Sequence, residues 1–338
     1  MTRRLVQALA LVVALVPATA FAVTRPAPPR LHPRDAAAVP TYVQKVEHAI
    51  VALKVRARAG ATSSQRLGVH RFASAVVVDP RGYALTVSYA VMDAVEIEAT
   101  RRDGRASAAT VVGFDLDSGL ALVKLDGEGW RPAALGQSRD VREGALTGTV
   151  GADEDNDLVH VTGHVTSVRR FSASWEYMLE RAFIVTPATT SWGGSALVNE
   201  RGEVIGIGSL RLGEVPYTNL FIPIERFLPV KDEMIATGRV ESRVPRPWLG
   251  LYTSADRSGV TVDGFSPAGP AAHAGFERGD RIVGVNGVHV RSQEEFYETL
   301  WKNRAGDVIK VSVQRDNRVV VIPVHSVDRQ RTLTAPAR

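Results

Sequence analysis

Residues 270–287 read PAAHAGFERGDRIVGVNG, and this stretch decides the architecture of the C-terminal part of the chain. Its small residues let a short helix pack closely, while Gly275 and Gly279 permit the backbone conformations that turns require. The pair Asn286 and Gly287 favours a tight hairpin turn between two strands. The stretch therefore predicts a short helix followed by a compact pair of strands.

The residues that follow predict one helix and a closing hairpin. Ser292 and Glu295 have the spacing of a capping box, in which side chains bond the free backbone amides at a helix start. The helix is expected to continue to Trp301, with Phe296 and Leu300 one turn apart on its buried side. Two β-branched runs predict the strands of the hairpin, at 308–314 and 319–324.

Residues 246–326 resemble a PDZ domain of the kind attached to bacterial proteases, through the motif P-A-x-x-A-G-x-x-x-G-D-x-I-x-x-x-N-G. Such domains bind a peptide C-terminus as an added strand. The family's carboxylate-binding turn resembles Trp248, Leu249, Gly250 and Leu251 of this chain. The resemblance implies that backbone amides of this turn bind a carboxylate and that Gly250 permits its approach. We expect an open groove; the alternative is that Trp248 is only a core aromatic and the groove is blocked.

Short β-branched runs, punctuated by Gly, Asp or Pro, dominate the chain between residues 42 and 240. Many short strands with few helical patterns between them predict a β-barrel or β-sandwich. The predicted strands lie at 49–55, 75–78, 95–99, 121–125, 159–165, 182–186, 204–207 and 218–223. Helices are expected at 41–48 and at 224–237, where Gly238 ends the second.

Residues 42–240 resemble the chymotrypsin-like domain of HtrA-type serine proteases. The segments that carry the resemblance are DPRGYALT at 79–86, VGFD at 112–115 with LALVKL at 120–125, LVNERGEVIGI at 197–207 and FIPI at 221–224. Joined to the C-terminal module, they imply a mostly β protein. We expect a chymotrypsin-like double β-barrel followed by a PDZ domain, a β-sandwich or partly open barrel with helices.

The positions that carry the family's Ser-His-Asp triad hold other residues. The resemblance places Tyr89 at the histidine and Gly119 at the aspartate. The serine position falls on Gly193 or on Ser195, depending on how a shortened stretch is aligned. A phenol near pKa 10 is a poor proton acceptor at neutral pH, and the shortened turn departs from the family's oxyanion hole. No catalytic residue is therefore expected at Tyr89, Gly119 or Ser195.

Two functions remain open at this stage. Loss of the serine or histidine from such a triad costs on the order of 10⁶-fold in rate. We therefore expect an inactive protease fold that binds peptides or protein C-termini, as a chaperone-like scaffold or as a regulatory subunit. The alternative is an active serine endopeptidase of protein quality control, with a remodelled site around Ser195.

Composition excludes several other classes of protein. A net charge of +5 over 338 residues is too small to predict nucleic-acid binding. The absence of cysteine excludes disulfides, thiolate nucleophiles and Cys-based zinc sites. His160 and His164 share a predicted strand without a third ligand, and no nucleotide-binding motif occurs. We expect no metal and no cofactor.

The expected partners are peptide or protein C-termini. The chain is also expected to form either a homo-oligomer or a hetero-oligomer with active relatives.

The N-terminus has the layout of a secretory signal peptide. Arg3 and Arg4 precede an apolar run at 5–16, and the small-x-small sites ATA and AFA follow at 18–22. The run is shorter than the roughly 20 residues that a membrane span needs. We expect export to the periplasm or the extracellular space, an uncleaved anchor being the alternative.

The sequence predicts five divisions of the chain. They are a signal peptide at 1–22, a Pro-rich linker at 23–40, a protease-fold domain at 41–240, a PDZ domain at 241–330 and a tail at 331–338.

The small-x-small sites predict where the chain is cleaved. We expect the exported protein to begin at Phe21 or Val23, because signal peptidase cuts after a small residue that follows a short apolar run. Intact-mass spectrometry of the exported protein measures this directly. Retention of Met1 or Thr2 would instead indicate an anchored form.

Overall fold

The computed structural model describes residues 39–333. The expected signal peptide at 1–22, nearly all of the linker at 23–40 and the last residues of the tail lie outside the described residues. From Pro40 onward the chain forms one compact unit. Strands dominate it, as the sequence predicts.

The first six strands close into a barrel with the order β1-β2-β3-β6-β5-β4. They are β1 (Ile50–Ala57), β2 (His70–Asp79), β3 (Tyr83–Val87), β4 (Ala94–Thr100), β5 (Ala106–Asp115) and β6 (Leu120–Leu125). Aliphatic side chains fill its interior, with Leu53, Leu85 and Leu122 fully buried. Closure leaves no free sheet edge, so every strand finds two neighbours.

The next six strands close a second barrel with the order β10-β11-β12-β9-β8-β7. They are β7 (Leu146–Ala152), β8 (Leu158–Ala173), β9 (Tyr177–Thr186), β10 (Ala196–Val198), β11 (Val204–Leu212) and β12 (Thr218–Pro223). Strand β8 is much longer than the run predicted at 159–165, and it turns directly into β9. The resulting hairpin reaches beyond the barrel, and its tip lies at residues 174–176.

The helices of the barrel region are short. They are α1 (Thr41–Val46), α2 (Thr62–Leu67), α3 (Ser88–Val91) and α4 (Lys231–Thr237). The expected helix at 224–237 is broken, because two 3₁₀ turns precede α4 and Pro229 lies at the start of the second. Helix α4 ends as predicted at Gly238, which adopts the left-handed conformation with φ +72°.

The C-terminal module has a sheet of six strands with the order β14-β15-β16-β18-β19, β17 pairing with β16. Its elements are β13 (Pro247–Trp248), β14 (Leu251–Asp256), β15 (Gly259–Phe265), β16 (Arg281–Val285), β17 (Val288–His289), α5 (Gln293–Leu300), β18 (Val308–Arg315), β19 (Arg318–His325) and β20 (Val327–Asp328). Strands β13 and β20 form a separate two-stranded sheet. A 3₁₀ turn at Pro270–His273 takes the place of the predicted short helix.

The hairpin turn and the helix start that the sequence predicts in the C-terminal module are both present. Asn286 and Gly287 both have positive φ, at 49° and 82°, which is the conformation of a type I′ hairpin turn. The Ser292 hydroxyl accepts the Glu295 amide at 3.1 Å and starts α5. Phe296 lies in the core that α5 and the sheet enclose. These contacts fix α5 alongside β14, and the space between the two is the groove expected to take a peptide.

Candidate functional site

Tyr89 lies on α3, immediately after β3, where the resemblance places the base. Its hydroxyl donates to the Ser209 carbonyl at 2.7 Å. A Cβ atom on Gly193 would lie 3.0 Å from this hydroxyl, so the phenol and the 191–195 turn are in close contact. Burial raises the pKa of Tyr89 above its usual value. The side chain is therefore a neutral donor whose proton is already bonded, the opposite of a general base.

Gly119 leaves no room for the aspartate that would orient a base. Its φ is +81°, a left-handed conformation that favours glycine. A Cβ here would lie 3.0 Å from the Tyr177 hydroxyl and 3.2 Å from its ring. That hydroxyl donates to the Ser118 carbonyl at 2.7 Å. Buried Tyr177 thus fills the space next to position 119, a role that sequence analysis did not assign to it.

The carboxylates near Gly119 are committed to arginines. Asp115 accepts two bonds from one Arg243 nitrogen, at 2.9 and 2.8 Å. Asp117 pairs with Arg246 at 3.3 Å. Burial raises the pKa of Asp117, and the charge of Arg246 lowers it in part. Neither carboxylate is free to replace the missing aspartate.

Ser195 has no catalytic partner. Its side chain is fully buried, and its hydroxyl donates to the Trp192 carbonyl at 2.8 Å. A Cβ on Gly208 would lie only 2.5 Å from this oxygen, so β11 packs directly against it. Among residues 39–333 no histidine hydrogen-bonds to Ser195. The hydroxyl consequently lacks both access and a proton acceptor that could activate it.

Three backbone amides of the 191–195 turn donate to groups within the protein. An oxyanion hole needs free N–H groups aimed at the reacting carbonyl oxygen. The three amides donate elsewhere: Ser191 to the Thr189 hydroxyl at 3.2 Å, Gly194 to the Gly208 carbonyl at 2.8 Å and Ser195 to the Trp192 carbonyl at 3.2 Å. The Gly193 carbonyl accepts the Ser74 amide of β2 at 2.8 Å. The turn is thereby packed against the first barrel.

The second candidate site is the turn of residues 248–251 in the C-terminal module. Trp248, Leu249 and Leu251 are buried. Gly250 has φ +82°, and a Cβ there would lie 2.6 Å from the Cα of Gly269. Only glycine fits this position, and the turn aims successive amides into one pocket, which is an arrangement suited to an anion.

A carboxylate already occupies this turn, and it belongs to Glu176 at the tip of the β8–β9 hairpin. Its Oε2 accepts the Leu249 amide at 3.0 Å, and its Oε1 accepts the Leu251 amide at 2.6 Å. The expectation of an open groove is therefore corrected, because the two amides assigned to a peptide carboxylate donate to a side chain of the same chain. Sequence analysis assigned no role to Glu176.

The environment of Glu176 disfavours its charged form. The side chain is buried, and this burial raises the pKa of Glu176 to about 7. The amides of Leu249 and Leu251 and the positive charge of Arg329 act in the opposite direction. Arg329 is itself close, with its guanidinium 5.6 Å from the centre of the Trp248 ring. The Tyr297 hydroxyl accepts the Glu176 amide at 3.2 Å.

The described residues contain neither a metal cluster nor a membrane helix. Between residues 39 and 333, histidine, aspartate and glutamate side chains form no group of three or more that could hold a metal ion. No helix in the same part of the chain is long and apolar enough to cross a membrane.

Both modules match models of known protein families. Residues 73–207 match the trypsin-like peptidase domain, and residues 247–325 match the PDZ domain. The serine endoprotease DegS of Escherichia coli K12 is 29% identical over 279 residues, which cover 78% of each chain. A protein of Halomonas elongata named as a probable periplasmic DegP-like serine endoprotease is 28% identical over 291 residues, or 78% of this chain and 60% of that one.

Solved structures show the same fold. The HtrA-type protease AlgW with a decapeptide superposes with a TM-score of 0.55 and 22% identity, covering 88% of this chain and 98% of that one. A serine endoprotease from Yersinia pestis gives a TM-score of 0.54 at 24% identity, covering 86% of this chain and 99% of that one. The double barrel followed by a PDZ domain is thus shared with HtrA proteases.

The raised pKa of Glu176 predicts how stability depends on pH. Between the ordinary value of 4.5 and the folded value of about 7, the folded protein holds a proton that the unfolded chain releases. The free energy of unfolding therefore falls as pH rises through this range. The difference between these two pKa values corresponds to about 3 kcal/mol. Urea unfolding measures the free energy of unfolding of wild type and of Glu176→Gln between pH 4.5 and 8. The excess stability of wild type should shrink by that order as pH rises. A difference that stays constant with pH would contradict a raised pKa at Glu176.

Proposed function

We propose that this chain, which belongs to the HtrA-type family and joins a trypsin-like peptidase domain to a PDZ domain, is a proteolytically inactive member that works by binding peptides or protein C-termini. The observation that carries the proposal is the Tyr89 hydroxyl at the position of the base, donating its proton to the Ser209 carbonyl. We assign residues 41–240 to the protease fold and residues 241–330 to the PDZ domain, with a tail at 331–338.

The case against proteolysis rests on three requirements of a serine protease. The base position holds a bonded phenol, the orienting position holds Gly119 against Tyr177, and Ser195 donates to a backbone carbonyl. Each of the three triad members depends on the other two, so restoring one leaves the site incomplete. Three amides of the turn, those of Ser191, Gly194 and Ser195, are bonded internally as well and are not free to stabilise an oxyanion.

The competing function is an active endopeptidase centred on Ser195. The names of the E. coli and Halomonas relatives, both serine endoproteases, support it, as does the presence of a serine in the 191–195 turn. Activity would require the turn to refold so that the Ser195 hydroxyl leaves the Trp192 carbonyl and meets an imidazole. The proposal of an inactive member requires no such change.

The PDZ domain is where we place the surviving function. A peptide C-terminus would add a strand to the edge of β14, facing α5, and its carboxylate would bind the amides of Leu249 and Leu251. The structure of AlgW with a decapeptide supports peptide binding by this fold. Bound clients would be held without being cut, which suits a chaperone-like scaffold or a regulatory subunit in a homo-oligomer or in a hetero-oligomer with active relatives.

We place this function outside the cytoplasm. The Halomonas relative is named as periplasmic, and the signal-peptide pattern at residues 1–22 supports export of this chain to the periplasm or the extracellular space. A chain without cysteine avoids unwanted disulfides in that oxidising environment.

The loss of catalysis predicts a simple result in solution. We expect no measurable hydrolysis of casein and no labelling by a serine-directed fluorophosphonate, because the Ser195 hydroxyl is buried and has no base. Ser195→Ala serves as the matched control, and both proteins should give the same background. Stoichiometric labelling that Ser195→Ala abolishes would establish the competing function. Tyr89→His alone should also remain inactive, since Gly119 and the bonded turn are unchanged.

The carboxylate-binding turn predicts a preference for free peptide ends. Peptides with an apolar C-terminal residue should bind, and C-terminal amidation should weaken them by about tenfold or more, because an amide forms no charge-assisted hydrogen bonds. Gly250→Val should weaken binding as well, since a side chain there meets Gly269 at 2.6 Å. Isothermal titration of the mature protein with free-acid and amidated peptides measures the difference. Equal affinities would show that the turn does not hold the carboxylate.

A further inference from the structure

The tip of the β8–β9 hairpin lies in the PDZ groove in the way that a bound peptide would. The Ser174 carbonyl accepts the Thr253 amide of β14 at 2.9 Å, so the tip pairs with the strand edge on which peptide strands are added. Two residues further on, the Glu176 carboxylate bonds the Leu249 and Leu251 amides. Strand pairing and carboxylate capture, the two elements of peptide recognition, are both satisfied by one segment of the chain.

The opposite wall of the groove also holds the hairpin. The Tyr297 hydroxyl of α5 donates to the Ala173 carbonyl at 2.7 Å and accepts the Glu176 amide at 3.2 Å. The Ser172 hydroxyl donates to Glu294, the second residue of α5, at 3.1 Å. The hairpin therefore fills the groove from wall to wall, between β14 and α5.

These contacts and a bound peptide exclude each other. The Leu249 and Leu251 amides each offer one proton, and the two oxygens of Glu176 accept both of them. A peptide carboxylate needs the same two protons, and its strand needs the Thr253 amide. An external peptide must displace the hairpin before it binds.

Several features make the closed arrangement displaceable. The ion pair between Arg170 and Glu298 at the groove rim is exposed, with half of the Arg170 side chain in solvent, and exposed pairs add little stability. Glu176 adopts φ +54°, a left-handed conformation that is strained for a residue with a Cβ atom. Its carboxylate is also removed from water, which opposes closure. Because the hairpin is tethered beside the groove, its high effective concentration there adds to the contacts that hold it.

We propose that the β8–β9 hairpin is an internal ligand of the PDZ groove, that the side chain of Glu176 mimics a peptide C-terminus, and that external C-termini bind by displacing it. This inference rests on the proposed peptide-binding function and adds its regulation. The apparent dissociation constant of a peptide is then the intrinsic constant divided by the fraction of molecules whose groove is open. Opening the groove by mutation raises affinity without any new contact to the peptide.

The test compares peptide binding among variants of the mature chain. The probe is a pool of fluorescein-labelled decapeptides that end in valine, leucine or phenylalanine with a free carboxylate, and the readout is fluorescence anisotropy. Glu176→Ala should bind at least tenfold more tightly than wild type. The peptide affinity of Glu176→Gln should lie between those of wild type and Glu176→Ala. The glutamine oxygen can accept one backbone amide of the turn, but its NH2 group cannot accept the second.

Two further variants control the comparison. Glu180→Ala removes an exposed glutamate of the same hairpin that pairs with Arg170 and does not reach the turn, so its affinity should equal that of wild type. A locked form carries Ser172→Cys and Glu294→Cys, whose parent side chains touch at 3.1 Å, joined by dibromobimane. The chain has no other cysteine, so the crosslink is specific. Locked protein should not bind the pool.

The outcomes distinguish failure of the internal-ligand proposal from failure of the proposed peptide-binding function. Equal affinity of wild type and Glu176→Ala, or binding by the locked form, overturns the internal ligand and leaves peptide binding intact. Absence of binding by every folded variant overturns the peptide-binding function and the inference together. If Glu176→Ala does not fold, Glu176→Gln, which keeps the side-chain volume, decides the question by the same comparison.

Discussion

The bonds from the Leu249 and Leu251 amides to the Glu176 carboxylate join the two modules of this protein through a buried charged group. The carboxylate reaches the turn because β8 extends far beyond its barrel and returns through a strained residue. Around it the packing is continuous: Met178 of β9 belongs to the core of the PDZ domain. This buried polar contact thereby occupies the groove that the family resemblance equips for peptides.

The positions that correspond to the protease triad show the same situation, a candidate site filled by its own neighbours. Tyr89 and Tyr177 place large rings beside the positions of the base and its orienter, and both hydroxyls donate to backbone carbonyls. The turn around Ser195 closes against β2 and β11 through backbone bonds. These side chains occupy the space between the barrels, and the hydroxyls of Tyr89, Tyr177 and Ser195 all have hydrogen-bond partners.

Sequence reasoning succeeded where a local signal determines a local structure. Asn286-Gly287 predicts its hairpin because few residues tolerate two positive φ angles, and Ser292 predicts the start of α5 through a bond three residues away. Glu176 could not be found in this way. A lone acidic residue in a hairpin tip is typical of a solvated turn, and its partners lie more than seventy residues further along the chain. Tyr177 escaped notice for the same reason, because only the fold brings it to Gly119.

Amide hydrogen exchange in the intact chain tests the central claim most directly, because it reports on the turn without any added ligand. If the hairpin occupies the groove, the amides of Leu249, Leu251 and Thr253 are protected in the wild-type protein, and this protection is lost selectively in Glu176→Ala while Phe296 in α5 stays protected. Exchange of the three amides at the rate of unbonded backbone in the wild type would contradict the account, since the groove would then be open.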